Sequence, residues 1–290
     1  RLELLMLVCD AVQHAHQKGV IHRDLKPSNI LVEPADTSAS GTGAGLGRPM
    51  VIDFGIAKAL AEPLTGQSLH TLSGQMVGTP EYMSPEQAGS ASDVDTRGDV
   101  YSLGVVLYEM LTGVLPFDSL RLRSSALSDI QRIIREEEPP RPSERVRRLA
   151  DEQASGPATT RGPGTGLEPR DLTRKLRGDL DWIIMRAIAK ERDRRYGSVA
   201  ELAADLRRYL AGEPVLAGPP SASYRLSKWA RRHKALLAGG SLVALAVLAG
   251  LIGTAWGLDR ALREGERARS AERQARVEAQ NARDAQSRAD

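Results

Sequence analysis

His22-Arg23-Asp24-Leu25-Lys26-Pro27-Ser28-Asn29 leads straight into the apolar run Ile30-Leu31-Val32, and Asp53-Phe54-Gly55 follows a second run, Met50-Val51-Ile52. Both runs have the length and composition of short strands. The stretch between them, Pro34–Pro49, is rich in Gly, Ser, Thr and Pro and reads as a surface loop. Strand, loop and strand make a hairpin, which can carry Asp24, Asn29 and Asp53 to one end of a single cleft. Asn29 and Asp53 offer the oxygen ligands that Mg²⁺ accepts from protein while it keeps phosphate oxygens and water. Asp24 is left to hold a hydroxyl in line with a phosphorus. Lys26 is a point charge suited to an oxygen that gains charge during transfer.

On the N-terminal side, Leu2, Leu5, Val8, Cys9 and Val12 follow helical spacing, and Gly19 ends the helix. On the C-terminal side, Val100–Leu111 reads as a buried helix and Leu127–Arg135 as an amphipathic one, while Asp181–Ala189 and Val199–Leu210 are two closing helices. Glu136–Arg170, rich in Pro, Arg and Gly, is expected to be a mobile insertion. The fold class is therefore mainly α with a short β hairpin.

The two opening motifs resemble the catalytic loop and the magnesium loop of a Hanks-type (eukaryotic-like) serine/threonine protein kinase. Gly78-Thr79-Pro80-Glu81-Tyr82-Met83-Ser84-Pro85-Glu86 resembles the end of that family's activation segment, with Ser84 where the family usually has Ala. Asp99-Val100-Tyr101-Ser102-Leu103-Gly104 resembles the start of the long buried helix of the C-lobe, and Arg195 stands where the family's arginine pairs with the glutamate matched by Glu86. The motifs keep the family's order across roughly Arg1 to Leu216, which makes the resemblance specific.

The resemblance implies roles for individual residues. Asp24 would accept or orient the substrate hydroxyl, Lys26 would contact the γ-phosphate of ATP, and Asn29 and Asp53 would bind Mg²⁺, with Mn²⁺ as an alternative. Leu31 would lie under the adenine, and Thr79 would bond near Asp24 and Lys26, which favours Ser/Thr acceptors. Phe54 would pack on His22 beside Gly55, and Asp99 would anchor the catalytic-loop backbone. Arg23, directly before Asp24, implies control by activation-loop phosphorylation, with Thr71 and Ser73 as the candidate sites and Thr65 and Ser68 behind them.

One part of the pattern is missing. No G-x-G-x-x-G loop or strand lysine precedes the catalytic loop, so these residues are expected to lack the N-lobe. The expectation is a fragment that begins inside the C-lobe (residues 1–218), binds ATP poorly and turns over negligibly by itself. The rival reading is a membrane-anchored pseudokinase or scaffold that binds partners without phosphotransfer.

Charge places the rest. Lys+Arg number 40 against 37 Asp+Glu, a net charge of +3 with pI ≈ 9.1, which invites a nucleic-acid partner. Residues 1–218, however, hold 27 basic and 30 acidic groups, and the excess sits in Arg225, Lys228, Arg231, Arg232 and Lys234 of the segment 219–234. The 24 residues 235–258 then carry no charge. At 1.5 Å per residue they reach about 36 Å, enough to cross a hydrocarbon core of about 30 Å. The basic groups thus face anionic headgroups, and a nucleic-acid partner is not expected.

Residues 259–290 form an Ala/Arg/Glu-rich helix with Ala261, Ala268, Ala275, Ala282 and Ala289 seven apart, either a weak coiled coil or a solvated helix. Kinase lobe, basic segment, single span and charged helix together resemble a bacterial receptor-type kinase in the cell's inner membrane. The flanks of the span hold five basic groups each within 16 residues, so the lobe is placed in the cytoplasm because ATP is there. Ala249, Gly253 and Gly257 could pair two spans into a homodimer. The single cysteine, Cys9, excludes a disulfide framework or a cysteine-based zinc cluster.

Overall fold

A computed structural model describes residues 1–34, 47–54, 79–89, 95–155 and 168–289. The chain forms two compact units, Arg1–Arg225 and Leu226–Asp290.

In the first unit, helix α1 (Leu2–Gln17) buries Leu5, Val8, Cys9 and Val12, one stripe at helical spacing. It ends at Gly19, whose φ of +75° is a left-handed conformation that glycine adopts without strain. Burial pushes the Cys9 thiol up to about 12, so this cysteine serves as a core residue rather than a nucleophile. A 3₁₀ turn at Pro27–Asn29 leads into strand β1 (Ile30–Glu33), which pairs antiparallel with β2 (Arg48–Val51). The register sets Ile30 against Val51, Leu31 against Met50 and Glu33 against Arg48.

The helices that follow are α2 (Pro85–Ala88), α3 (Thr96–Thr112), α4 (Ser119–Ser124), α5 (Leu127–Glu136), α6 (Pro142–Ser155), α7 (Pro169–Leu176), α8 (Asp179–Ala187) and α9 (Val199–Leu210). Helix α3 is the centre. Val100, Tyr101, Leu103, Val105, Leu107 and Tyr108 are buried all round it, against α1, α8 and α9. Asp95 caps its start by accepting the Arg97 N–H at 2.8 Å, and Gly113, at φ +77°, closes its end. A second apolar cluster joins Met83, Ala88 and Phe117 to Leu122, Ile130, Ile133 and Ile134.

The core packs tightly against Gly104. A Cβ there would lie 2.7 Å from Cγ2 of Ile188 and 2.8 Å from Cβ of Ala187. Gly→Ala in an open helix position gains up to about 1 kcal/mol. Gly104→Ala is instead expected to lose about 1–3 kcal/mol through overpacking, read as a lower denaturation midpoint.

The stretch Glu136–Arg170 departs from its sequence reading as a mobile insertion: residues 142–155 form helix α6. The Asp181 carboxylate accepts the Ser143 N–H at 3.0 Å and its hydroxyl at 2.6 Å, and Val146 is buried. One cap held from another helix and one buried valine order a segment that is poor in apolar residues. Residues 156–167 lie outside the described set. Helix α8 starts two residues before the expected Asp181, at Asp179.

The chain continues in α10 (Ala222–Arg232) and α11 (Lys234–Ala289), the latter a 56-residue helix that holds both the uncharged stretch and the Ala/Arg/Glu-rich tail. By length and composition, α11 is long and apolar enough to cross a membrane.

Candidate active site

Leu25 is fully buried, and the backbone beside it is extended at Lys26, so Asp24 and Lys26 on either side of it face the same open edge. Lys26 Nζ lies 2.8 Å from Asp24 Oδ2 and donates to Thr79 Oγ1 at 3.2 Å. Pro27 opens the 3₁₀ turn, which tucks Asn29 under the loop at 5% exposure. The Asn29 amide nitrogen donates to the Asp24 carbonyl at 2.9 Å and approaches Asp24 Oδ2 at 3.5 Å. The Ile52 N–H donates to the Asn29 carbonyl at 3.0 Å, which brings the end of β2, and so Asp53, alongside.

Two residues here have positive φ without being glycine, Arg23 (+65°) and Asp53 (+57°). Aspartate tolerates this region better than arginine, so the strain at Arg23 must be held by neighbours. It is held from both sides. Asp99 Oδ1 accepts the Arg23 N–H at 2.9 Å, and Gln87 Nε2 donates to the Arg23 carbonyl at 2.7 Å. Asp99 Oδ2 also accepts the His22 N–H at 2.8 Å and lies 2.7 Å from His16 Nε2.

The His22 ring is buried, 4.7 Å from Phe54 between centroids. Its Nδ1 receives the Asp24 N–H at 3.3 Å and its Nε2 meets the Ile52 carbonyl at 3.0 Å, a pair of partners that places the ring proton on Nε2. His22 thus ties the stretch around Asp24 to the strand that delivers Asp53. Leu31 stands on β1, 46% exposed, opposite an equally open Met50.

Farther out, Arg195 grips Glu86 in a fork, Nη1 to Oε1 and Nη2 to Oε2, both at 2.8 Å. The other three guanidinium hydrogens go to the carbonyls of Ala189, Arg97 and Lys190. Burial pushes the Glu86 carboxyl up, but the hydrogen bonds and charge of Arg195 outweigh it and hold the group below the ordinary carboxylate range. Gly55, Thr65, Ser68, Thr71 and Ser73 lie outside the described residues.

His16 and Gln87 were not among the residues singled out from sequence. Each had a signal. His16 extends the buried stripe Leu5–Val12 by one more turn, a polar group where the pattern asks for an apolar one. Gln87 completes Ser84-x-x-Gln87, a capping box in which Gln87 Oε1 receives the Ser84 N–H at 3.0 Å.

A family model for the protein kinase domain matches residues 3–195. Serine/threonine-protein kinase PknB of Mycobacterium tuberculosis is 38% identical over 213 residues, 73% of this chain and 26% of that protein. Serine/threonine-protein kinase pkn3 of Myxococcus xanthus is also 38% identical, over 73% of this chain and 36% of its own length. The chain therefore spans between about a quarter and just over a third of these relatives. The solved kinase domain of Mycobacterium tuberculosis PknI is 24% identical, with 71% of this chain and 54% of that one covered and a TM-score of 0.41.

Proposed function

Because the chain belongs to the protein kinase family, we propose that it carries the catalytic loop of a membrane-anchored serine/threonine protein kinase, one that moves the γ-phosphoryl group of ATP to Ser or Thr hydroxyls of protein substrates in signal transduction. One observation supports this most: Asp24, Lys26, Asn29 and Thr79 are joined by direct contacts beside the strand end that delivers Asp53.

In this reading the Asp24 carboxylate orients the acceptor hydroxyl and takes its proton as the new O–P bond forms and the bond to the β-phosphate oxygen breaks. Lys26 stays beside the γ-phosphate oxygens, where its charge counts most as theirs grows. Thr79, bonded to Lys26, borders the place of the acceptor and favours Ser and Thr. Leu31 offers the apolar floor for the adenine.

The residues fit Mg²⁺. Asn29 uses its amide nitrogen on the Asp24 carbonyl, which leaves Oδ1 for a cation, and Asp53 brings an exposed carboxylate. Among the described residues no group of three or more His, Cys, Asp or Glu is placed to hold an ion. A site of two oxygen ligands suits an ion that keeps phosphate oxygens and water. Bound there, the ion would neutralise phosphate charge; Asn29 and Asp53 would hold it.

The apolar part of α11 is the proposed single span of a bacterial inner membrane, with the kinase unit on the cytoplasmic, ATP-containing side. Self-association through Ala249, Gly253 and Gly257 belongs to the same proposal, as does phosphorylation of Thr71 or Ser73 paired with Arg23. A Gly-rich loop and strand lysine are needed over the nucleotide, and we place them outside residues 1–290. Residues 1–290 alone are therefore expected to transfer γ-labelled phosphate negligibly to a Ser/Thr protein acceptor. Turnover of about 1–100 s⁻¹, ordinary for a kinase, would overturn that division of labour. In the full-length protein, chelating Mg²⁺ with EDTA is expected to abolish transfer, and transfer that survives would remove Asn29 and Asp53 from the metal role.

A further inference from the structure

Helix α10 is two-faced. At 100° per residue, Trp229 lies 60° and His233 20° to one side of Leu226, and Leu237 in the first turn of α11 lies 20° to the other. Leu226 and Trp229 are 63% and 51% exposed, and the Trp229 and His233 rings pack 5.1 Å apart. Tyr224 lies on the opposite side of the helix and has partners of its own. Its hydroxyl bonds Asp179 at 2.9 Å and the Val215 N–H at 3.1 Å, and its ring meets Trp182 edge-on at 5.4 Å. Arg225, Lys228, Arg232 and Lys234 supply positive charge, and no acidic residue occurs between Glu213 and Asp259.

We propose that α10 is an interfacial segment that binds the surface of an anionic phospholipid bilayer, with Leu226 and Trp229 seated among the headgroups and the basic side chains on lipid phosphates. The proposal rests on the reading of α11 as a span. Two observations select lipid as the occupant. The uncharged stretch begins at Ala235, six residues after Trp229, so a membrane crossed by that stretch lies about 9 Å from the indole. The charge is of one sign, and Arg225, Arg232 and Lys234 flank the aromatic-aliphatic stripe, the pattern that anionic interfaces hold. A helix running straight on from the span would leave Leu226 about 13 Å above Ala235, beyond the headgroups. Seating it therefore requires α10 to lean at His233, the one residue between α10 and α11.

The test uses the full chain in vesicles of phosphatidylcholine alone or mixed with phosphatidylglycerol. Tryptic cleavage after Arg225, Lys228 and Arg232 is expected to slow on the order of tenfold in the mixed vesicles, with the protection lost at high salt. Leu226→Glu with Trp229→Glu is expected to abolish it. These side chains are exposed, so the fold survives the change. Equal cleavage in both vesicle types overturns the proposal, as does protection that the double variant keeps, or that inorganic phosphate reproduces on phosphatidylcholine. Carbonate washing at high pH reports separately on the span. A chain that washes off refutes the span, while the protease comparison still decides whether α10 binds lipid.

Discussion

Asp24→Asn in the full-length protein is expected to cut kcat/KM for Ser/Thr phosphorylation by about 10²–10⁴-fold, the usual worth of a positioned general base. That corresponds to about 3–5 kcal/mol of barrier. Asparagine has the shape of aspartate and keeps an oxygen toward Lys26, but it neither takes a proton nor balances the ammonium 2.8 Å away. The side chain is 23% exposed, and the loop is held through backbone groups of Asp24 that the substitution leaves in place. The melting temperature should therefore move by no more than about 2 °C. Lost transfer with an unmoved melting temperature supports the assignment, and unchanged transfer refutes it. An inactive wild-type protein that carries a Gly-rich loop and strand lysine would favour the scaffold reading.

The second large effect is on stability. Arg195→Ala leaves the Glu86 carboxylate, 4% exposed, without its fork and strips one partner from each of three backbone carbonyls. Breaking a buried pair in this way costs about 3–5 kcal/mol, a large share of the 5–15 kcal/mol typical of a folded domain. Arg192, with Nε 3.9 Å from Glu86, can offset a part of it. Arg195→Lys keeps the charge but not the planar fork or its five donors, so it should fall between the two.

The pH dependence carries a sign that checks the cause. The Glu86 carboxyl is held low in the folded state, so its stabilisation is complete above the ordinary glutamate value and fades as pH falls through the folded one. In the Arg195→Ala variant burial acts alone and favours the protonated acid. The stability gap between wild type and variant is thus expected to narrow as the pH falls from above the ordinary glutamate value, where the variant's acid protonates, to below it, where that of wild type does. A gap that is constant with pH would point to lost packing against Tyr101, over whose ring the guanidinium sits at 5.1 Å.

What the amino-acid order determined by itself was local. The stripe Leu5, Val8, Cys9, Val12, the two strands on either side of a Gly/Ser-rich stretch, the motif around Asp24 and the uncharged run 235–258 can each be read within a window of a few residues to two dozen. Periodicity and turn chemistry act over that range, and the helical stripe, the strands and the uncharged run carry enough of them to specify their own conformation.

The tertiary structure decided what depends on residues far apart in the chain. His16 meets Asp99 from 83 positions away, Gln87 holds the Arg23 carbonyl from 64, and Arg195 reaches Glu86 across 109. Asp181 turns the apolar-poor stretch at Ser143 into a helix from 38 positions off. No local pattern encodes such bonds, because a buried donor is satisfied by whichever acceptor the packed helices bring to it. The candidate site residues were therefore legible as letters. The strained backbone at Arg23 and the carboxylate, amide and imidazole that hold it exist only once α1, α2 and α3 have closed around the loop.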